Sequence, residues 1–328
     1  MGLNIRAYRE GDEEAMLRLW VEHGGFDSVD MDVWRDRFLN NPVGPSHMIV
    51  AEDDAKGEIV AQLISVPSVI WFEGERISAA RPFAPIISKD VRAQFLTVNP
   101  LNHPIVKMYR KSNDLLEERG VRLSYMLPDP SWQLLYKLLP TRKLQIKKFP
   151  LWSRKLPLAQ PIDLGDGVTV GPIESDDLRI DELGRAVSTK YNCMIVRDHI
   201  NMPWKLMHWN YEIIGVERDG KLIGMAASLN KGHRQWLICD VLTVDMDDSL
   251  RTTLAAVTNL AHEKSSDSPS GEPIDKVGLL TPPLMEPALA SLGYERDDYE
   301  FMFVVRAIDS SLDKSKVAPE NWYVAAND

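Results

Sequence analysis

Short runs of alternating hydrophobic and polar residues open this chain, and the pattern then changes to a helical period. Leu3, Ile5 and Ala7 lie between polar positions, which predicts a strand over residues 3–8. After Gly11-Asp12, apolar residues follow at helical spacing, and the acidic residues 12–14 stand where a helix N-terminus favours negative charge. The chain therefore begins with a strand and a helix.

The same reading of period, turn residues and breakers gives an order of elements for each half. The first half is predicted as a strand at 3–8, helices starting at 12 and at 32–40, strands at 47–52, 59–72 and 77–87, a long helix at 104–119, a strand at 123–127, a helix at 131–139 and a strand at 144–151. The second is predicted as a strand at 168–170, helices at 176–187 and 200–209, a hairpin at 213–224, a strand at 236–244, a helix at 250–264, a strand at 277–280, a helix at 285–292 and a strand at 301–305.

The two halves resemble one another. Trp34-Arg35 precedes a hairpin at 49–61, and Trp204-Lys205 precedes the hairpin at 213–224. A repeat with a period near half the chain indicates two copies of one domain rather than a solenoid. Both copies are predicted as α+β, each a mostly antiparallel mixed sheet flanked by helices, and not as a doubly wound βα alternation.

A segment rich in Pro and Gly and without hydrophobic period separates the copies. We therefore predict an N-terminal domain at 1–152, a linker at 153–167, a C-terminal domain at 168–310 and a polar tail at 311–328.

Composition is that of a globular protein, with 328 residues, 44% of them hydrophobic. The net charge of -10 argues against a nucleic-acid partner. The basic run around residues 142–155 is interpreted as a solvated face or linker edge, with a site for an anionic ligand as the alternative. No run reaches a membrane span and no signal segment is apparent, so a cytoplasmic protein without a membrane partner is expected. Cys193 and Cys239 are predicted as two buried thiols, with one disulfide as the alternative.

Several short motifs carry a family resemblance. Residues 57–60, Pro67, Gly74 and Ala79-Ala80 are spaced like the central hairpin of the GNAT acyltransferase fold, and a strand, a turn and a long helix follow. The chain resembles that fold in tandem over nearly its whole length. The resemblance implies an acyl-CoA co-substrate, acetyl-CoA or another, whose pyrophosphate binds backbone N–H groups at a helix N-terminus.

Two alignments of the phosphate-binding turn remain open. In the first, residues 87–94 match the family's turn: Arg92 matches its arginine, Val91 replaces its tyrosine and Ala93 its first glycine. The predicted contacts are then Ile87, Val91, Arg92, Ala93 and Gln94. In the second, residues 97–100 form the turn, and Asn102 and His103 lead into the long helix. Both alignments lack the glycines that let a backbone approach phosphate closely.

Residues 129–139 resemble the family's last motif, with Tyr136 at its general-acid position. In acyl transfer an amine attacks the thioester, a backbone N–H polarises the carbonyl, and an acid protonates the leaving thiolate. Tyr136 is the predicted acid, and the alternative is a half-buried core aromatic residue.

In the second copy, residues 287–294 end in a Leu-Gly-Tyr that resembles the family, but the tyrosine position holds Leu289. Its phosphate turn, 245–249, places three carboxylates where a pyrophosphate would bind. We therefore expect the second copy to be catalytically inactive.

The resemblance thus implies an acyl-CoA-dependent N-acyltransferase acting on a small-molecule or protein amine. The alternative is an inactive GNAT-like pair that binds a metabolite or partner; transfer from charged tRNA is a third idea that the acidic composition disfavours. No GxGxxG, Walker A or G-x-S-x-G motif occurs, and the histidines and cysteines lack metal-ligand spacing, so no metal is predicted.

Overall fold

A computed structural model describes residues 2–25, 28–94, 102–128, 144–207, 209–266 and 273–328 of the chain. These residues divide into two compact units. The first unit comprises Met1–Ile70, Arg76–Ile146 and Phe303–Val317, and the second comprises Trp71–Glu75, Lys147–Met302 and Ala318–Asp328. Each unit therefore takes segments from more than one part of the chain.

The first unit is a mixed sheet with helices on it. Its strands are β1 (Leu3–Ala7), β2 (His47–Asp53), β3 (Ile59–Phe72), β4 (Glu75–Ile87) and β5 (Leu123–Met126), and its helices are α1 (Glu13–His23), α2 (Met31–Phe38), α3 (Lys89–Gln94) and α4 (Pro104–Glu118). The strand order is β1-β2-β3-β4-β5, and β5 then pairs with the residues after Phe303. The pair β4–β5 is parallel, whereas β1–β2 and β2–β3 are antiparallel.

Helices pack against this sheet and against one another. Ser65 of β3 contacts Ser112 of α4 through their hydroxyls at 3.1 Å, so the alternate residues Leu63 and Ala61 share the face of α4. In α1 and α2, the rings of Trp20 and Phe38 lie 5.6 Å apart in the core. The apolar positions that recur at helical spacing in the helices, and at every second residue in the strands, are therefore buried, as the sequence pattern predicts.

The second unit repeats this arrangement. Its strands are β6 (Leu144–Lys155), β7 (Val168–Pro172), β8 (Cys193–Ile195), β9 (Glu212–Arg218), β10 (Lys221–Gly232), β11 (Gln235–Thr243), β12 (Lys276–Leu280), β13 (Glu295–Ala307) and β14 (Trp322–Tyr323), and its helices are α5 (Ile180–Ser188), α6 (Asn201–Leu206), α7 (Asp248–Ser266) and α8 (Glu286–Ser291). The main order is β13-β6-β12-β11-β10-β9-β7. Here β11 pairs with β12 in parallel, and outside this main order β14 pairs with β8, also in parallel.

The α+β class and the mostly antiparallel mixed sheet flanked by helices are thus confirmed, and most element positions agree with the prediction. The differences are local. β6 continues to Lys155, inside the predicted linker, and α3, β8 and β14 were not predicted. Residues 311–328, predicted as a polar tail, contain buried side chains, among them Val317, Trp322 and Tyr323. Their apolar positions are too few and irregular to show a period, so burial there depends on tertiary contacts.

Among the described residues, no helix combines the length and apolar character that crossing a membrane requires.

Candidate active site

An opening between two parallel strands lies in the first unit. β4 pairs with β5 at Ala79–Leu123 and Ala80–Ser124, and the described register goes no further. β4 itself continues to Ile87, while Tyr125 of β5 pairs with Val305 on its other side. Among the described residues, the parallel pairing of β4 thus stops at Ala80, and a strand edge without a neighbour can pair with an extended ligand that contains amide groups.

The end of this edge is fixed in place. The N–H of Ser88 donates to the carbonyl of Val60 at 2.9 Å, which ties the last residues of β4 to β3. Within the edge, Pro82 and Pro85 have no N–H, so they cannot donate. Ile86 and Ile87 retain their N–H groups, and because adjacent residues of a strand point these groups to opposite sides, only one of the two faces this edge.

The first predicted phosphate segment is helical. Ile87 ends β4, and Val91, Arg92, Ala93 and Gln94 lie in α3. Val91 is buried, whereas Arg92 and Ala93 are exposed. The N–H of Arg92 donates to the carbonyl of Ser88 at 2.9 Å, which is the bond of a regular helical turn. This amide is therefore not free for a phosphate, whereas the exposed guanidinium of Arg92 can contact one.

The second predicted segment ends at the N-terminus of α4. Asn102 is exposed, and His103 is the N-cap. The Nδ1 atom of His103 accepts from the N–H of Ile105 at 3.3 Å, and the His103 carbonyl accepts from Val106 and Lys107. Burial lowers the pKa of His103 below its usual 6.5, so the ring is neutral at pH 7. His103 thus caps the helix, and the first-turn amides of α4 already have acceptors.

The general-acid candidate, Tyr136, and residues 97–100 of the second alignment lie outside the described residues. The structure brings Ile87 and the α3 residues together because they are consecutive at the end of β4, and it places Asn102 and His103 at the start of the next helix.

The second unit has the corresponding helix, α7, but its N-terminus is occupied by a side chain. The Oδ1 atom of Asp245 accepts from the N–H groups of Asp247 at 2.9 Å and Ser249 at 3.0 Å, and its Oδ2 accepts from the Ser249 hydroxyl at 2.6 Å. Burial opposes ionisation of Asp245, but these hydrogen bonds outweigh it and hold the pKa below its usual value. A carboxylate therefore occupies the position that a pyrophosphate would need.

The predicted counterpart of the catalytic tyrosine, Leu289, is fully buried on α8. Nearby, the Tyr294 hydroxyl lies 2.7 Å from the Thr258 hydroxyl and is buried. Neither side chain is available to a substrate in the second unit.

A buried ionic cluster in the second unit was not predicted from the sequence. Arg197 donates through Nε to Asp240, at 2.8–2.9 Å, and through Nη2 to Asp328, at 2.8 Å. Lys205 also contacts Asp328, and the Arg197 guanidinium lies 4.6 Å from the centre of the Tyr323 ring. These residues are distant in sequence, so no local pattern could reveal the cluster.

Other titratable groups form ion pairs. His199 pairs through Nδ1 with Asp181 at 3.0 Å, and Lys148 lies 3.6 Å from Glu300. Cys193 and Cys239 are free and buried, which confirms the prediction of two buried thiols. In the described part of the chain, no group of three or more His, Cys, Asp or Glu residues is gathered that could hold a metal ion.

Comparison with solved structures identifies the fold. A GCN5-related N-acetyltransferase from Anabaena variabilis superposes with a TM-score of 0.68 at 11% identity, over 94% of this chain and 73% of that one. A probable N-acyltransferase from Enterococcus faecalis gives 0.64 at 12% identity, with the same coverage. An N-myristoyltransferase from Saccharomyces cerevisiae with bound myristoyl-CoA gives 0.60 at 11% identity, over 99% and 85%.

No protein-family model and no curated protein sequence matches this chain. The structural likenesses nevertheless show that the chain has the GNAT fold, as the resemblance implied.

Proposed function

We propose that the chain is an acyl-CoA-dependent N-acyltransferase whose first unit binds the donor. The opening beside β4 supports this proposal, since parallel pairing with β5 stops at Ala80–Ser124 while β4 continues to Ile87. Among the structural neighbours are N-acetyltransferases and an N-myristoyltransferase with bound myristoyl-CoA. An acyl-CoA donor fits the exposed strand edge because its extended arm contains amides that pair with backbone groups.

In the first unit, backbone groups of β4 would bind the thioester, and side chains would bind the phosphates. Either the N–H of Ile86 or that of Ile87, whichever faces the edge, would donate to the thioester carbonyl, and such a donor stabilises the oxyanion that forms during acyl transfer. Since the amides of Arg92 and Ile105 already have acceptors, side chains would contact the phosphates, with the exposed Arg92 guanidinium first and Asn102 next. Arg92 offers the charge-assisted bonds that phosphate favours.

An amine on a small molecule or a protein would attack the thioester carbonyl. Tyr136 is proposed as the acid that protonates the coenzyme A thiolate as it leaves. Atoms balance in this step: the C–S bond breaks, a C–N bond forms, and the proton lost by the amine replaces that given by the acid. The second unit, with Asp245 at its helix N-terminus and Leu289 at the tyrosine position, would not catalyse.

Thermal unfolding with coenzyme A, acetyl-CoA and myristoyl-CoA tests the donor. We expect the midpoint to rise with donor concentration, because binding to the folded state stabilises by about 2.7 kcal/mol at 100 times Kd. For the donor that binds, turnover on an amine panel should fall about 10²–10⁴-fold in the Tyr136→Phe variant while donor affinity is retained.

No stabilisation by any of these donors at about 1 mM would remove the enzymatic proposal and leave a GNAT-like pair that binds another ligand. Unchanged turnover in Tyr136→Phe would remove only the assignment of the acid. The Tyr299→Phe variant is a matched control, because that ring is 45% exposed in the second unit.

A further inference from the structure

The second unit contains a strand opening like that of the first. β11 and β12 pair in parallel from Gln235–Lys276 to Ile238–Leu279, and the described register ends there. β11 continues to Thr243, paired on its other side with β10. At Cys239 the β10–β11 register shifts by one residue, a bulge just where the parallel pairing ends. An edge of β11 thus lies beyond Ile238 without β12 beside it.

A tyrosine from far along the chain occupies this edge. The hydroxyl of Tyr323 donates to the carbonyl of Val241 at 2.5 Å and accepts from the N–H of Val241 at 3.2 Å. The N–H and C=O of one residue in an extended strand point to the same side, so both bonds lie on the side of β11 away from β10. The Tyr323 hydroxyl, 3.0 Å from Asp240, therefore uses the same two backbone groups that an extended amide ligand would pair with.

The residues around Tyr323, which we name the closing segment (residues 322–328), are firmly held. Trp322 and Tyr323 form β14 and pair in parallel with Cys193 and Met194 of β8. The Asp328 carboxylate accepts from Arg197 and from the N–H of Ala325 at 2.8 Å. Trp322 and Tyr323 are at most 1% exposed, so no solvent reaches the edge through them.

We propose that the closing segment occupies the acyl-donor opening of the second unit from within the chain, so that the chain has at most one donor site. Two separate parts of a donor site are then filled by the protein itself. Tyr323 takes the strand edge at Val241, and Asp245 takes the N-terminal amides of α7. This inference extends the proposed function, because it assigns the donor to the first unit alone.

Hydrogen exchange of the full chain tests the contact directly. In the Tyr323→Phe variant, which loses only the hydroxyl, we expect exchange at the Val241 amide to be about fivefold faster, as for the loss of one hydrogen bond. Asp240 remains as a second acceptor at 3.1 Å and limits the effect. The Tyr299→Phe variant should leave this amide unchanged. Equal exchange at Val241 in wild type and Tyr323→Phe would overturn the proposal.

Donor stoichiometry is the second measurement. Calorimetric titration with acetyl-CoA and myristoyl-CoA should give no more than one molecule per chain, and added donor should not change exchange at Val241. Two molecules per chain, or donor-induced protection at Val241, would overturn the closed opening. Zero molecules would contradict the proposed function but agree with a closed second unit, so the two failures are distinguishable.

Discussion

At the scale of single residues, the most unusual feature is the ionic cluster in the second unit. Burial alone would lower the pKa of Arg197, but the carboxylates of Asp240 and Asp328 outweigh it and raise the pKa above its usual value. Burial lowers the pKa of Lys205, which Asp328 opposes. Because two cations face two carboxylates in a site without solvent, removing one member leaves a buried charge uncompensated.

Asp328→Asn should therefore be costly. The substitution keeps the shape of the side chain but removes the charge that faces Arg197 and Lys205, and we expect the free energy of unfolding to fall by about 3–5 kcal/mol. Urea unfolding measures it. The matched control is Asp275→Asn in the same unit, where the pair with Arg234 is about half exposed and the expected loss is below about 1 kcal/mol. Equal losses in both variants would show that burial does not decide the effect.

At the scale of elements, the N-termini of the two long helices show different solutions to the same problem. The first N–H groups of any helix lack acceptors inside the helix, so something else must supply them. In α4 the acceptors are the ring and carbonyl of His103, and in α7 Asp245 supplies its carboxylate. A carboxylate there excludes an anionic ligand, whereas a neutral ring can be displaced at lower cost.

We expect Asp245→Ala to lower the free energy of unfolding by about 0.5–2 kcal/mol, as for loss of an N-terminal cap. The control is Asp247→Ala, an exposed neighbour at the same helix end. Chemical denaturation of both variants gives the comparison. If Asp247→Ala costs as much as Asp245→Ala, then general charge near the helix, and not the capping bonds, accounts for the effect.

At the scale of the whole molecule, several carboxylates share a shift in one direction. For Asp328, burial would raise the pKa, but Arg197 and Lys205 outweigh it and the pKa lies below its usual value. The pKa of Asp309 is lowered to about 2, mainly by hydrogen bonds from Ser311. Burial disfavours the charged imidazolium and so lowers the pKa of His47 and of His103. Every one of these shifts makes the folded state bind fewer protons than the unfolded chain.

Acid should therefore destabilise the protein in two stages. A depressed folded pKa gives stability that is present above the unfolded pKa and is lost as pH falls toward the folded value. We expect a small loss below about pH 6.5 from the histidines and a larger one from about pH 4 down toward 2 from the carboxylates. Unfolding free energies from urea titrations at pH 7, 5, 4 and 3 measure this. Stability that increases on acidification would contradict the assignment.

Much of the architecture was predictable from the sequence. The predicted bounds of β3 agree with those in the structure, Ile59–Phe72. The helix α4 was predicted because Pro104 and Gly120 delimit a segment with apolar residues at helical spacing. The repeat of two hairpins correctly implied two similar α+β parts, since period and turn residues are local properties. The candidate donor segment was found through the same local order of strand and helix, and its contacts remain predictions.

Only the tertiary structure decided which distant residues meet. Phe303–Val317 belongs to the first unit and Ala318–Asp328 to the second. The sequence pattern instead predicts that residues up to 310 belong to the C-terminal domain and that residues 311–328 form a tail. Arg197 meets Asp240 and Asp328 across 43 and 131 positions, and Tyr323 meets Val241 across 82. Local periodicity shows that a side chain is buried, but the partner that makes a buried charge or an open strand edge stable is chosen by the packing of the folded chain.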